Sequence, residues 1–406
     1  MRYTPDRPRP RVSFVIATYN RRDVFLRTLR RVQACGLPMS EFETLVVDNA
    51  SSDGTTDAVV RTFPKVRVIR LQSNQGPCAK NAALRRASGE YVVFLDDDSF
   101  PQPGSISRLI SHFQSNPNLG AAVFTINLPD GSRECSAYPD VCIGCGTGFR
   151  RKALEEAGGL PEDFFMAAEE YDLSLRLLGA GWQVQTFDDL QVMHLKSSVS
   201  RFPGRVVRLD ARNNAILAMR YFPERWRTRY VSAWLQRYQL MAGVNGNTKA
   251  FLLGASEGIL RGMQVEHTPI GTAAFERFSR VEQIYQGMAK AASIGNWRRV
   301  LMVDLGKNFI AWHDAAERLG LEIVGIADQR LGGRGLDYRG IPLLNDEQAM
   351  TCGFNAAVIS NLSPVHSAER LWQWKRRVGE AAVDLVYGDR MNQRSSAATP
   401  PLSIAA

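Results

Sequence analysis

Between Arg11 and about Leu95 the chain alternates short β-branched runs with longer stretches of helical periodicity. No other feature limits the fold as strongly. The spacing predicts strands at Val12–Thr18, Thr44–Asp48, Val66–Leu71 and Tyr91–Leu95, and helices at Asp23–Gln33, Thr55–Thr62 and Gly76–Ala87. Strands that alternate with helices imply an α/β fold built on a mostly parallel sheet covered on both faces. Such sheets bind ligands beyond the carboxyl ends of their strands. The polar residues just after each strand therefore carry the expectation of a site. They are Thr18-Tyr19-Asn20, the run from Asp48 to Gly54, and Asp96-Asp97-Asp98.

Beyond Asp98 the alternation weakens. Ala121–Asn127 and Arg133–Tyr138 read as a hairpin around Pro129-Asp130-Gly131, and glycines crowd at 144, 146 and 148. A helix over Ala168–Leu178 opens on acids, which the positive end of a helix favours. Short strands are expected at Trp182–Thr186 and Gln191–His194. The segment 203–296 reads as mostly helical. From 297 to 390 the strand–helix logic returns, with strands at Val300–Asp304, Glu322–Asp328 and Ala356–Ser360. The chain thus divides into four parts: 1–202, 203–296, 297–390, and a tail, 391–406, whose Ser/Ala/Pro content predicts disorder.

Three adjacent carboxylates after an apolar strand repel one another unless a cation or a basic group compensates. Mg²⁺ and Mn²⁺ take such oxygen ligands together with phosphate. The D-x-D spacing lets Asp96 and Asp98 face the rim while Asp97 turns away, and a metal there would neutralise a diphosphate leaving group. A capped acidic turn is the plainer alternative. Asp48 and Asp53 bracket the second loop with Asn49 between them. An acid there can accept the ring N–H of a pyrimidine, and it can also cap the next helix. Thr18 and Asn20 would shape that pocket. Asn74 and Gly76 open the next segment, where Lys80 reads either as a phosphate contact or as a solvated helix lysine.

The net charge of +9 suits an anionic partner. Charge alone does not choose among nucleic acid, a membrane surface and a phosphate-bearing substrate; a nucleotide-sugar reading of the rim expects the last and no nucleic acid. Six scattered cysteines, an Arg/Pro-rich start without an apolar core and no apolar run of spanning length predict a cytoplasmic protein, if anything peripheral to the inner face of a membrane. Cys142-x-x-Cys145 lacks the second close pair that structural zinc sites show.

The strand Val12-to-Asn20, the loop Asp48-to-Thr55, the segment Asn74-to-Asn81 and the cluster Phe94-to-Asp98, in this order, resemble family 2 glycosyltransferases of the GT-A fold. The resemblance continues through Gly144-to-Arg151, similar to a glycine-rich segment beside donor and acceptor that brings in Gly146 and Arg150. It extends to Glu169-Glu170-Tyr171-Asp172-Leu173, similar to the family's "ED" helix. The resemblance implies an inverting transfer from a UDP- or dTDP-sugar to a glycan or lipid-linked acceptor. It gives a carboxylate of that helix the role of general base: Glu170 first, which stands where the family usually has Asp, with Glu169 and Asp172 as alternatives. It also places His194 where the family often has a metal-binding histidine; a structural histidine is the plainer reading.

Two other features remain. Arg201, Arg205, Arg208 and Arg212 line one helix face, and Trp226, Tyr230, Trp234 and Tyr238 recur on the next. Together they suit a lipid surface or lipid-phosphate acceptor, or else a solvated basic face over a packed aromatic core. The last part looks Rossmann-like but carries only Gly306 after its first strand, so a structural or partner-binding role, including self-association, fits better than a nicotinamide site. The alternative for the whole chain is a non-catalytic scaffold that binds sugar nucleotides. A nucleotidyltransferase would need a glycine-rich basic loop where Ala17-Thr18-Tyr19-Asn20 stands.

Overall fold

The computed structural model describes residues 9–196 and 203–388. The expected tail at 391–406 and Arg201 lie outside them. The chain divides into two compact units, one of residues 1–134 and 140–201, the other of 135–139 and 202–406.

The first unit runs β1 (Val12–Thr18), α1 (Arg22–Gln33), β2 (Phe42–Asp48), α2 (Thr55–Thr62), β3 (Arg67–Arg70), α3 (Lys80–Leu84), β4 (Tyr91–Asp96), β5 (Ser99–Pro101), α4 (Ser105–Ser115), β6 (Leu119–Asn127), β7 (Arg133–Glu134), β8 (Thr147–Arg150), α5 (Arg151–Ala157), α6 (Glu169–Gly179) and β9 (Gln183–His194). The strand order is β3-β2-β1-β4-β8-β6-β9-β5, with β7 on β6. The β3-β2-β1-β4 half is parallel, as the alternation requires. The other half adds antiparallel pairings at β4–β8, β6–β8 and β5–β9, so the sheet is mixed. Phe25, Leu29 and Val32 of α1, spaced four and three apart, pack with Phe14, Ile16, Val46 and Leu95 of the strands in one buried core.

Register builds the rim. Thr18 pairs with Asp48, and Ala17 with Asp96, so the polar clusters after β1, β2 and β4 share one edge. Three local expectations change. The helix expected over Gly76–Ala87 is a 3₁₀ turn, Gly76–Ala79, leading into the short α3. The two strands expected near the end of the unit are one long β9 with a register shift between Phe124 and Thr125 of its partner. The expected hairpin arm Arg133–Tyr138 is only two residues long, and 135–139 belong to the other unit.

The second unit holds five helices, α7 (Pro203–Tyr221), α8 (Glu224–Val244), α9 (Thr248–Gly262), α10 (Thr272–Ser279) and α11 (Val281–Gly295). They precede β10 (Arg299–Val303), α12 (Phe309–Arg318), β11 (Glu322–Ala327), β12 (Asp337–Tyr338), β13 (Ile341–Leu344), α13 (Asp346–Met350), β14 (Ala356–Ile359), α14 (Pro364–Val378) and β15 (Ala382–Val383). The order β13-β11-β10-β14-β15 is parallel throughout, with β12 antiparallel on β13. The Asp328 carboxylate, just after β11, accepts from the backbone N–H groups of Leu305, Arg330 and Leu331 at 2.9–3.0 Å. The aromatic stripe of α8 faces inward. Trp226, Tyr230 and Trp234 are buried; Tyr230 and Trp234 pack against Phe222, and Trp226 and Tyr230 against Phe275. It forms core rather than a lipid-facing surface.

Candidate active site

Each of the three rim carboxylates has its own basic partner. Lys80 Nζ lies 2.9 Å from Asp96, Arg21 lies 2.5 Å from Asp97 and 3.3 Å from Asp98, and His194 Nε2 lies 3.3 Å from Asp98. The cost of packing three acids is therefore met by basic side chains of the protein itself. Asp96 is the open member, with 43% of its side chain exposed. Asp97 and Asp98 are both buried, so the expected alternation, with 96 and 98 outward and 97 inward, does not hold. The chain turns at Asp98 into β5, whose Ser99 pairs with His194, and this turn carries Asp98 inward. Burial pushes the Asp97 carboxyl up to about 6, against the opposing pull of Arg21.

His194 is buried between acids. Nδ1 meets Glu134 at 2.8 Å while Nε2 faces Asp98. Burial disfavours its cation, but hydrogen bonding to Asp98, Cys145 and Glu134 outweighs that and raises the imidazole to about 12. Among the described residues, ligand atoms of Asp96, Cys145 and His194 lie within 4.8 Å of one another. β8 lies antiparallel to β4, which sets the segment of Cys145 beside Asp96, and the Ser99 hydroxyl donates to the Cys145 carbonyl at 2.8 Å. Burial pushes the Cys145 thiol up to about 12, so its sulfur is a neutral, weak donor.

Lys80 is not a solvated helix lysine. It is 1% exposed, and its ammonium bridges Asp96 and the Gly144 carbonyl, the latter at 2.8 Å. The Gly144 N–H in turn donates to Glu170 Oε1. An unbroken path thus runs from Asp96 through Lys80 and Gly144 to Glu170, and a small cavity lined by Lys80, Gly144, Glu169 and Glu170 lies along it. Burial raises the carboxyls of both Glu169 and Glu170 above the ordinary glutamate range. Repulsion from Glu170 adds to the rise at Glu169. Before α6, Phe165, Ala167 and Ala168 all have positive φ. Side chains resist that conformation, and such strain persists only where packing enforces it. Gly76 permits it, because a Cβ there would collide with the Phe165 carbonyl.

Several expected ligand contacts serve the rim itself. The Thr18 hydroxyl donates to Asp97 at 2.9 Å. Asp48 accepts from Ser51 N and from the Thr56 hydroxyl, closing its own loop. Asp53 accepts from Arg22 N and Thr55 N, and Asn20 from Ser52 N. Asn49 ties down Gly76 O and Gln75 N, while Asn74 accepts from Gly76 N at 2.8 Å. Tyr19 remains exposed. Gly146 leaves room for Ile126 and Val192, so its role is packing. Arg150 is a correction. It pairs with Tyr91 at the opposite end of β4, and its guanidinium donates to the carbonyls of Phe113, Asn116 and Leu119. It sits away from the rim because β8 runs antiparallel to β4.

Asp172 is buried in an ion pair with Arg176 one turn on, at 2.6 Å, and Arg176 also donates to Gly159 O at 2.7 Å. That arrangement makes it a brace for α6 rather than a base. Asp172→Asn leaves a largely buried guanidinium short of its charge partner. It should lower unfolding stability by about 3 kcal/mol, read from chemical denaturation, with kcat of the folded fraction within about threefold of wild type. The residues that sequence reasoning missed are Arg21 and Glu134; Cys145 was weighed only with Cys142 as a zinc pair. Only Arg21 left a signal, as a basic residue directly after the first rim cluster.

A mixed α/β sheet with an acidic rim after its fourth strand and a carboxylate helix facing it defines the GT-A class. The family model of glycosyl transferase family 2 matches residues 13–139. The match holds Asp48 and Asp96–Asp98, while Glu170 and His194 lie beyond it. The chain is 34% identical over 121 residues to the succinoglycan biosynthesis protein ExoO of Rhizobium meliloti (strain 1021), covering 29% of this chain and 33% of that protein. It is 28% identical over 211 residues to the N-acetylglucosaminyl-diphospho-decaprenol L-rhamnosyltransferase of Mycobacterium tuberculosis (strain ATCC 25618 / H37Rv), covering 39% and 69%. The structure of S. aureus TarS 1-349 in complex with UDP-GlcNAc aligns over 77% of this chain and 92% of that one, with a TM-score of 0.49 and 15% identity. The chain spans from 18% to 36% of the length of the first curated relatives it matches.

Proposed function

We propose that the chain is an inverting, metal-dependent glycosyltransferase that moves a sugar from a nucleotide-sugar donor to a hydroxyl of a glycan or lipid-linked glycan. The path Asp96–Lys80–Gly144–Glu170 carries this reading. It joins the open carboxylate on the donor side to a half-buried acid of raised basicity at the N-terminus of α6. The related proteins named above act in succinoglycan biosynthesis and in rhamnosyl transfer to a decaprenol-linked acceptor, which supports a glycan or lipid-linked acceptor here.

Glu170 takes the proton of the acceptor hydroxyl as that oxygen attacks the anomeric carbon from the face opposite the leaving diphosphate. The bond from the anomeric carbon to the diphosphate breaks as the new one forms, so the configuration inverts. Gly144 N–H holds Oε1 and leaves the other oxygen for the proton. Asp48 and the loop it closes form the wall for the base, with Tyr19 at its open edge.

A divalent metal fits the rim. Asp96 would supply an oxygen donor and His194 a nitrogen once an ion displaces its Nε2 proton, while Glu134 holds Nδ1 as ligating histidines require. Asp98, 3.3 Å from Nε2, lies where it would share such an ion with His194. The carboxylate oxygens of the rim suit Mn²⁺ or Mg²⁺. When bound, such an ion neutralises charge on a diphosphate leaving group. Glu134→Gln should raise the Mn²⁺ concentration for half-maximal activity by about 10- to 100-fold.

The deciding experiment offers UDP-, dTDP- and GDP-sugars with Mn²⁺ and follows hydrolysis or transfer. Turnover of one donor, abolished by EDTA, is the expected result. Binding of a donor without turnover under any condition would make the chain a sugar-nucleotide-binding scaffold.

A further inference from the structure

We propose that the outward face of α9 docks on an anionic lipid surface. This helix is apolar on two sides, and only one of them is covered. Gly254, Gly258 and Gly262, spaced four apart, pack on α7 so closely that a Cβ at Gly254 would strike the Arg208 carbonyl, and one at Gly258 would lie 2.8 Å from the Arg212 carbonyl. This glycine stripe, with Phe251 and Ala255, buries one face. The opposite face carries Leu252, Leu253, Ile259, Leu260 and, just past the helix end, Met263. All five are exposed, up to 63% for Leu260 and 72% for Met263. Successive helical residues step by about 100°, so these five fall within one continuous face.

A row of large apolar side chains in water is unfavourable and marks a contact surface. Its surroundings select the partner. Lys249 lies within the row and Arg261 at its side, both exposed, while Arg205 and Arg208 are exposed on α7. The nearby acids are Glu257, engaged by Arg208, and Glu266 beyond the helix end. An apolar face set in positive charge is the pattern of a helix lying in the interface of an anionic leaflet. A second copy of this chain is disfavoured, because a two-fold contact would bring one basic-flanked face against another of the same charge. No described helix is long and apolar enough to cross a membrane, so the contact is with the surface. The lipid-facing role thus moves from the aromatic stripe of α8 to α9, independently of the transferase reading.

The test is flotation of the full chain with vesicles of phosphatidylcholine alone and of phosphatidylcholine with phosphatidylglycerol, without donor or metal. Binding to the anionic vesicles only is expected. The variant Leu252→Ser, Leu260→Ser, Met263→Ser should weaken it by roughly tenfold or more. Lys249→Glu with Arg261→Glu should weaken it and reduce its salt sensitivity. These side chains are exposed, so unchanged circular dichroism and thermal melts are expected of both variants. Failure of the wild type to float with anionic vesicles overturns the proposal, as does unaltered binding by the Leu/Met variant. A wild-type dimer in sedimentation that the same variant dissolves also overturns it, since the face would then join two copies.

Discussion

Replacing Glu170 by Gln is expected to reduce transfer by about 10²- to 10⁴-fold while donor binding stays within about twofold. Glutamine keeps an oxygen to accept from the Gly144 N–H, so the loop and α6 remain in place. Only the capacity to take a proton is lost. Isothermal titration with UDP and single-turnover kinetics separate the two effects. Near-normal turnover in this variant would falsify the assignment of the base. Glu169→Gln is the control, because the Glu169 carboxyl is buried beside Glu170 with one oxygen lacking any hydrogen-bond partner. Turnover within about tenfold of wild type is expected there, and a loss equal to that of Glu170→Gln would move the base to Glu169.

The raised basicity of Glu170 has a pH consequence with a definite sign. Burial disfavours its ionised form, so the carboxylate appears only at higher pH than in a free glutamate. A general base acts when deprotonated. The rate should therefore climb with pH through a limb displaced upward from the ordinary carboxylate range, and Glu170→Gln should remove that limb. A limb at the ordinary glutamate position would mean that the base is solvated, against the burial observed.

The second large effect is expected at Lys80. Its ammonium links Asp96 to Gly144, and through Gly144 to Glu170. Lys80→Met keeps most of the stem but removes both hydrogen bonds, the charge and the ammonium's contact with the Phe94 ring. Two acceptors then face a site without a donor, a loss of about 2–3 kcal/mol, moderated because Asp96 is open to water. The catalytic effect should exceed the structural one, since a shift of about 1 Å at a reacting group costs on the order of 100-fold. The expected result is a fall in kcat of that order with a smaller change in KM, and partial recovery in Lys80→Arg. A variant that merely melts earlier, with kcat intact, would leave Lys80 a packing residue.

The parallel half of the first unit was legible because β-branched runs and helical periodicity repeat there in regular order, and a parallel register aligns the residues just past each strand. The antiparallel half was not. β5 and β8 are three and four residues long and carry no periodic signal. β5 is the element that turns Asp98 inward and brings His194 beside it. Arg150 was misplaced for the same reason: without knowing that β8 runs against β4, one end of a glycine-rich segment looks like the other.

The three adjacent acids illustrate the division. Local sequence was sufficient to say that Asp96-Asp97-Asp98 end a buried strand, lie on the rim with Thr18 and Asp48, and require compensating positive charge, because repulsion between neighbouring carboxylates does not depend on the fold. It could not say what compensates them. Lys80, Arg21 and His194 come from three separate places in the chain, and only the folded sheet brings each within 2.5–3.3 Å of its acid. Charges this close interact strongly only where water is excluded. Tertiary packing therefore decided which acid stays open, which lysine is buried, and which carboxylate of α6 faces the site.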